Sequence, residues 1–317
     1  MDRRQGLKVI GAVVSSVGIS RIAFAQTRRY LLATGSVGGT FYPLGAAIAK
    51  VVSQHTKGIE MSIQSTGASA ENCRLLGSKK VEFALSGSVV ATEAQQGKGA
   101  FSKPYPGIRA IGFIYPDVVQ WVVMADSDIK TIQDMKGKRI GVGPVGSGAQ
   151  GASKLMLEMA GLSPSDYNAV LLPFGQSADR MRDGQLDVAN FFLSSPNATV
   201  IDLSTMHNVR LIPVTGDLKA RLQEKHPDYV SITIPGGIYK GSEKDIETVG
   251  WASCLFTHED IPVDDVYAIT KAIYSNGDEI SKIHPAGKTI KLADLKKGIN
   301  LPFHEGTLKY LKENGVD

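Results

Sequence analysis

Short apolar runs and helical stripes take turns along most of the chain. Residues 30–33 lead into a helical stretch over about 41–54, residues 61–63 into one over 70–76, and residues 83–85 into one near 89–96. Two apolar runs follow with no helix between them, 110–114 and 118–124. The alternation then resumes with 140–142 and a helix over 148–160. In that helix Ala149, Ala152, Met156, Met159 and Ala160 recur at the spacing that gathers them on one face. Residues 170–172, 188–191 and 209–212 read as later strands, and residues 219–225 as a solvated helix face. Strands alternating with helices of this size predict an α/β fold with largely parallel sheets.

The C-terminal part is helical, over 263–274 and 305–312. Val266, Ile269, Thr270 and Ile273 make the apolar stripe of the first of these helices. Such helices would cover a sheet whose strands lie much earlier, which predicts a discontinuous first lobe with a second lobe inserted into it. The sequence contains no internal repeat and no clean linker.

The first 25 residues change the picture. Arg3, Arg4 and Lys8 precede an apolar run over 9–19, and Ala23-Phe24-Ala25 closes the segment. This is the layout of a secretory signal, with cleavage expected before Gln26, and the run is too short to span a bilayer. Arg3-Arg4 fits twin-arginine export as well as an ordinary Sec signal. Either route takes the mature chain out of the cytoplasm, to the periplasm. Of the 317 residues, 292 would remain. Four basic residues and one acidic one leave with the signal, so the net charge falls from +4 to +1. That balance argues against nucleic acid or an anionic membrane surface as a partner. The length fits two domains with substantial cores. An oxidising compartment allows Cys73 and Cys254 to bridge. Each sits in an apolar pattern, which reads instead as two buried free thiols.

The candidate chemistry lies in four loops that leave strand ends and enter helices: residues 35–43, 65–69, 86–88 and 141–151. Their glycines let backbone approach a ligand, and Thr40 is placed to cap the helix that follows it. Each loop sets N–H groups and hydroxyls at the positive end of a helix, which is an anion site in physical terms. Enzyme readings fare poorly. Residues 141–146 spell the G-x-G-x-x-G of a dinucleotide turn, but the next strand ends in Leu172-Pro173-Phe174-Gly175 without the acid that would hold a ribose. Pro144 also removes an amide from that loop. Ser147 lacks the glycine two residues earlier that a nucleophile elbow demands. The six histidines show no metal-ligand spacing. The chain therefore reads as a binding protein, not an enzyme, without cofactor or metal.

Five motifs then line up in order along the chain. GGTFYPLG at 38–45 resembles the GGTYYPLG signature of the TAXI group of TRAP-transporter solute receptors. TGASAENCRL at 66–75 resembles that group's TGGSVENLRL, and DMKGKR at 134–139 followed by GPVGSG at 143–148 resembles its DLKGKRV and GPPGSGT. IPGGIYKG at 234–241 and LPFHEG at 301–306 resemble IPAGTYKG and LPLHPGA. The resemblance implies a type II periplasmic binding fold: two α/β lobes joined by crossing strands near 122–124 and 250–255. Residues 26–123 with 252–317 would form lobe 1, and residues 124–251 lobe 2. It further implies a monomeric receptor that closes on a small carboxylate and docks on a TRAP membrane permease, usually sodium-driven. Family ligands include glutamate, glutamine and dicarboxylates such as 2-oxoglutarate.

Carried over by position, Gly39, Thr40, Phe41 and Tyr42 would line the pocket with Thr66, Gly67, Ala68, Ser69, Ser86 and Ser88. From the second lobe Gly146, Ser147 and Gly148 would hold a carboxylate, while Phe191, Ser194 and Ser195 close the other side. The chain has SGSVV at 86–90 where relatives read QSDVA, and FFLSSP at 191–196 where they read FFVGGYP. A buried ammonium needs a carboxylate or several acceptors. With that aspartate gone, the expected ligand is a dicarboxylate such as 2-oxoglutarate, with L-glutamate or glutamine as the alternative. Arg74 and Arg180 lie outside the loops; each reads first as a surface or packing residue, with support of the site as the alternative. A periplasmic sensory module and an exported NAD-type oxidoreductase are the readings from other classes.

Overall fold

The computed structural model describes residues 27–316, so the expected signal segment and its cleavage point lie outside the described residues. Two mixed sheets carry the chain. The first contains β1 (Arg28–Ala33), β2 (Ile59–Gln64), β3 (Phe83–Gly87), β4 (Ile108–Val118), β10 (Val230–Ile234) and β11 (Ile246–His258). Its order is β10-β11-β3-β1-β2, with β4 also paired to β11. The second contains β5 (Trp121–Met124), β6 (Arg139–Gly143), β7 (Asn168–Leu171), β8 (Val188–Asn190) and β9 (Val209–Ile212), in the order β7-β6-β8-β5-β9.

The parallel expectation holds only where a helix returns the chain. β1 runs parallel to β2 and β3, connected through α1 (Phe41–His55) and α2 (Ser69–Gly77), and β6 runs parallel to β7 and β8. β11 is antiparallel to β3, β4 and β10, and β5 is antiparallel to β8 and β9. The reason is connectivity: a strand that carries the chain from one sheet to the other arrives from the far end. β11 is buried from Thr248 to His258, as a central strand covered on both faces must be.

The chain leaves the first sheet at Val119 and Gln120, which break the expected strand over 118–124. It returns from β9 through α7 (Gly216–Lys225) to β10. Residues 230–251, expected in the second lobe, supply β10 and the first part of β11, which pair in the first sheet. Both passages are knitted together by hydrogen bonds. Val119 N donates to Val249 O at 2.9 Å, and Gln120 Nε2 donates to Phe191 O and Ser194 O at 3.3 and 3.2 Å. Tyr239 OH donates to Gln120 Oε1 at 2.6 Å.

One apolar core runs from Cys73 and Ala84 through Trp121 to Val142 and Met156, and so spans both sheets. A second, formed by Leu44, Ile48 and Val52 with Val266, Ile269 and Ile273, joins α1 to α8 (Val263–Ser275). The same cluster takes in Tyr310 and Leu311 of α10 (Glu305–Glu313). Cys73 and Cys254 are free and buried. Burial pushes the Cys73 thiol up to about 12, and it donates to Ser86 Oγ at 3.4 Å, so the bridged reading does not hold.

Asn72 fixes the geometry at the sheet's C-terminal edge. Its fully buried Nδ2 donates to Thr34 O at 2.6 Å and Leu85 O at 2.7 Å, and Oδ1 accepts from Thr66 Oγ1 at 2.6 Å. One side chain thereby ties the ends of β1 and β3 to the loop after β2. Asn72→Ala takes the side-chain donor from the Leu85 carbonyl and leaves Thr34 O only the Thr66 hydroxyl at 3.1 Å, a loss of about 1–3 kcal/mol. The variant should lower the chemical-denaturation midpoint with an unchanged slope; a midpoint equal to that of the parent would show that the side chain ties nothing.

Candidate functional site

The two sheets meet over a small cavity of about 30 Å³. Its first-sheet wall comes from Gly39, Thr40, Phe41, Ala68 and Ser69, with Tyr115 and Asp117 of β4 and Trp251 of β11. Its second-sheet wall comes from Pro144, Ser147, Gly148 and Ala149 around the start of α4 (Gly148–Met159). Phe174 of α5 (Phe174–Arg182) and Phe192 and Leu193 after β8 complete it. A volume of that size holds one or two water-sized groups.

Asp117 is the one ionisable acid or base on this wall apart from the Tyr115 phenol. It is 5% exposed and has no ion pair among the described residues. Antiparallel register puts it directly across from Trp251, 134 residues on, with Ser253 across from Tyr115. Ser253 Oγ donates to Asp117 Oδ2, and Trp251 Nε1 reaches the same oxygen at 3.4 Å. Desolvation raises the Asp117 carboxyl to about 6; the Ser253 and Tyr115 hydroxyls and the Trp251 indole hold it from rising further. A buried carboxylate with only neutral donors around it is a place where a cation is stabilised and a second anion is not.

A larger chamber of about 610 Å³ lies on the other side of Trp251. Trp251, Ser147 and Gly148 belong to both walls. The outer chamber adds Arg74 of α2, Glu93 of α3 (Ser88–Gln96), Lys154 and Glu158 of α4, and Tyr229. The indole is packed on both flanks: a side-chain carbon at Gly148 would come within 2.9 Å of its ring, and one at Gly87 within 2.6 Å. Phe192 and Tyr229 stand 4.4 and 5.1 Å from it, centroid to centroid.

The structure gathers part of the expected set. Gly39, Thr40, Phe41, Ala68, Ser69, Ser147 and Gly148 line the inner cavity. Tyr42, Thr66, Gly67, Ser86, Ser88, Phe191, Ser194 and Ser195 do not line it, and Gly146 lines only the outer chamber. The reasons are physical. Thr66 is spent on Asn72, and Ser86 on the Gly87 carbonyl and the Cys73 thiol. Phe191 is fully buried beside Phe174, and the wall belongs to its neighbours Phe192 and Leu193. Gly67 lies so close to the second sheet's loop that any side chain there would run into the Val145 carbonyl.

Several hydroxyls and amides expected to hold ligand instead hold the two halves together. Thr40 makes no cap bond for α1; its Oγ1 accepts from Ser194 N at 3.0 Å and lies 2.9 Å from Ser194 Oγ. Thr199 Oγ1 donates to Gly38 O at 2.8 Å. Ser147 caps α4, accepting from Gln150 N at 3.1 Å and donating to Pro144 O at 2.7 Å, while Gly146 N donates to Gln150 Oε1 at 3.0 Å. The second and third amides of α2, Ala70 and Glu71, donate to Gly146 O at 3.0 and 3.2 Å. Arg180 lines neither chamber, whereas Arg74 lines the outer one.

Sequence reading missed Tyr115, Asp117, Phe174, Phe192 and Trp251 as wall residues. Asp117 left a trace: an acid inside an otherwise apolar run, where buried carboxylates are rare without a reason. SGSVV at 86–90 has no aspartate, but β4 brings a different one, Asp117, into the cleft.

Because the Asp117 carboxyl is raised from 3.8 to about 6 in the fold, its contribution to stability is complete below pH 3.8 and lost as pH rises through 6. The change amounts to roughly 3 kcal/mol. Asp117→Asn should flatten the fall in Tm between pH 4 and 6.5; parallel curves for the variant and parent would show that the carboxyl is not so held.

Residues 32–315 match the model of the NMT1-like family. Among solved structures, a protein from Bordetella bronchiseptica RB50 superposes with a TM-score of 0.53 at 19% identity, over 91% of this chain and 89% of that one. The periplasmic aliphatic sulphonate binding protein SsuA from Escherichia coli gives 0.50 at 15% identity, over 90% and 83%. A TRAP periplasmic solute binding protein from Sulfitobacter sp. NAS-14.1 with bound β-D-galacturonate gives 0.48 at 14% identity, over 91% and 96%. The fold is the mixed α/β, two-lobed architecture of periplasmic solute-binding proteins.

Proposed function

We propose that the chain, which belongs to the NMT1-like family, is an extracytoplasmic receptor that closes two lobes on a small organic solute and delivers it to a membrane permease. The observation that carries this reading is the cleft itself: a small cavity, mostly apolar but for Asp117 and a few hydroxyls, whose walls come from both sheets and whose rim is latched by Thr40–Ser194 and Thr199–Gly38. Lobes built on separate sheets can part at the two chain passages and admit a solute without unfolding either core. The work such a site does is capture, not turnover. The acid at its centre is engaged by the Ser253 hydroxyl and the Trp251 indole, and no His, Lys or Cys lines the cavity beside it among the described residues.

The ordered run of TAXI-like motifs supports a TRAP permease as the partner, and the signal-like N-terminus supports the periplasm as the compartment. The ligand reading moves. No Lys, Arg or His lines the inner cavity, and Asp117 does. A dicarboxylate such as 2-oxoglutarate would set like charges together in a dry cleft, whereas a solute with an ammonium group, glutamate or glutamine among them, would neutralise Asp117. Ligand carboxylates would be left to the Gly148 and Ala149 amides at the start of α4 and to the outer chamber.

Thermal-shift titration of the mature protein separates the alternatives. A ligand at about 100 times its Kd adds about 2.7 kcal/mol. Amine-bearing acids should raise Tm and 2-oxoglutarate and succinate should not; the reverse ranking refutes the ammonium reading. Affinity for the amine should weaken about tenfold per pH unit below pH 6, as Asp117 is protonated. Affinity that stays level down to pH 4.5 would remove Asp117 from the contact.

A further inference from the structure

The two chambers differ in size by a factor that restricts what each can take. The inner one, about 30 Å³, admits a group the size of water and little more. An ammonium is such a group, and Asp117 is the only full charge on that wall. The rest of any organic solute must lie elsewhere. The outer chamber, about 610 Å³, falls within the range of small-molecule sites and is separated from the inner one by the Trp251 indole and Gly148.

The outer chamber carries two charges of opposite sign without partners of their own. Glu93 is half-buried and has neither a hydrogen bond nor an ion pair to its carboxylate among the described residues. Burial holds its carboxyl above the usual range. The Arg74 guanidinium donates to Ala100 O at 2.6 Å and sits 5.1 Å from the centre of the Phe101 ring, but meets no acid. Lys154 and Glu158, on the facing helix, answer each other at 3.7 Å. The aromatic partition between the chambers, Trp251 backed by Tyr229, suits an alkyl chain and a passing cation.

We infer that the cleft takes an elongated ω-ammonium amino acid: its side-chain ammonium sits on Asp117 in the inner chamber, and its α-carboxylate and α-ammonium sit at Arg74 and Glu93 in the outer chamber. The methylene chain passes beside Trp251. Gly148 and Trp251 belong to different sheets, so separation of the lobes widens this partition and their closure seals the chain in place. The inference rests on the receptor reading above and specifies its ligand.

Calorimetric titration of the mature protein with a homologous series tests it. 2,3-Diaminopropionate, 2,4-diaminobutyrate, ornithine and lysine lengthen the chain stepwise. Norleucine lacks the terminal ammonium, cadaverine lacks the carboxylate, and glutamate reverses the terminal charge. Affinity should rise along the series, and lysine or ornithine should bind about ten- to a hundredfold more tightly than norleucine. Asp117→Asn should bring lysine down to the norleucine level. Arg74→Gln, at an exposed position, should weaken lysine about tenfold and leave cadaverine unchanged. Binding of glutamate or norleucine as tight as that of lysine, indifferent to Arg74→Gln, would overturn the two-chamber inference and leave the receptor reading standing. Absence of binding by every amine in the set would overturn both.

Discussion

A carboxylate held out of water among neutral donors is the constraint around which the cleft is organised. Asp117 cannot be solvated at 5% exposure, and no cationic side chain reaches it. The fold compensates with the Ser253 hydroxyl, the Trp251 indole and the Tyr115 phenol, which require β4 and β11 to pair in one register. A one-residue slip would turn Trp251 and Ser253 to the other face and leave the acid bare. The long central strand, the apolar packing around Trp251 and the inner cavity thus answer to one electrostatic problem. A negative charge without a positive one among the described residues remains on the wall.

The repeated strand-and-helix units were readable because each is local. Helices α1, α2, α3, α4, α8 and α10 fall within one or two residues of the stripes that predict them, since an amphipathic period needs no knowledge of the rest of the chain. Two others were not. α5 (FGQSADRMR) and α6 (Ala198–Met206, ATVIDLSTM) are as long as α2, α3 and α10, but α5 is mostly polar and the apolar residues of α6 do not gather on one face. β10 escaped although VSITI alternates apolar and polar residues: it is short, lies at the sheet edge and buries only Ile234. The antiparallel course of β11 depends on which sheet the chain has come from, a fact of topology that no local pattern encodes.

The site divides along the same line. Glycine-rich turns at 35–39, 66–69 and 146–148 announced themselves through their residue types, and they do bound the two chambers. Residues contributed by strand pairing across a gap of 134 positions, Asp117 and Trp251 above all, had no local signature beyond a charge in an apolar run. Residue type also misled in a consistent direction. Thr40, Ser147 and Ser194 are the hydroxyls a binding loop would use, yet each is engaged by protein groups across the cleft or at a helix end. Where two lobes must meet and separate, side chains that can trade one hydrogen-bond partner for another serve the joint as readily as the ligand.

The Gly146 carbonyl, seated on the second and third amides of α2, has a consequence for how the cleft treats anions. Those amides lie at the positive end of a helix dipole, which attracts phosphate or sulfate. In the closed arrangement a backbone oxygen from the opposite half occupies that position. An inorganic anion bound there would act as a wedge, propping the halves apart rather than drawing them together. Common inorganic anions would compete with that latch, whereas a solute that leaves the carbonyl in place would not.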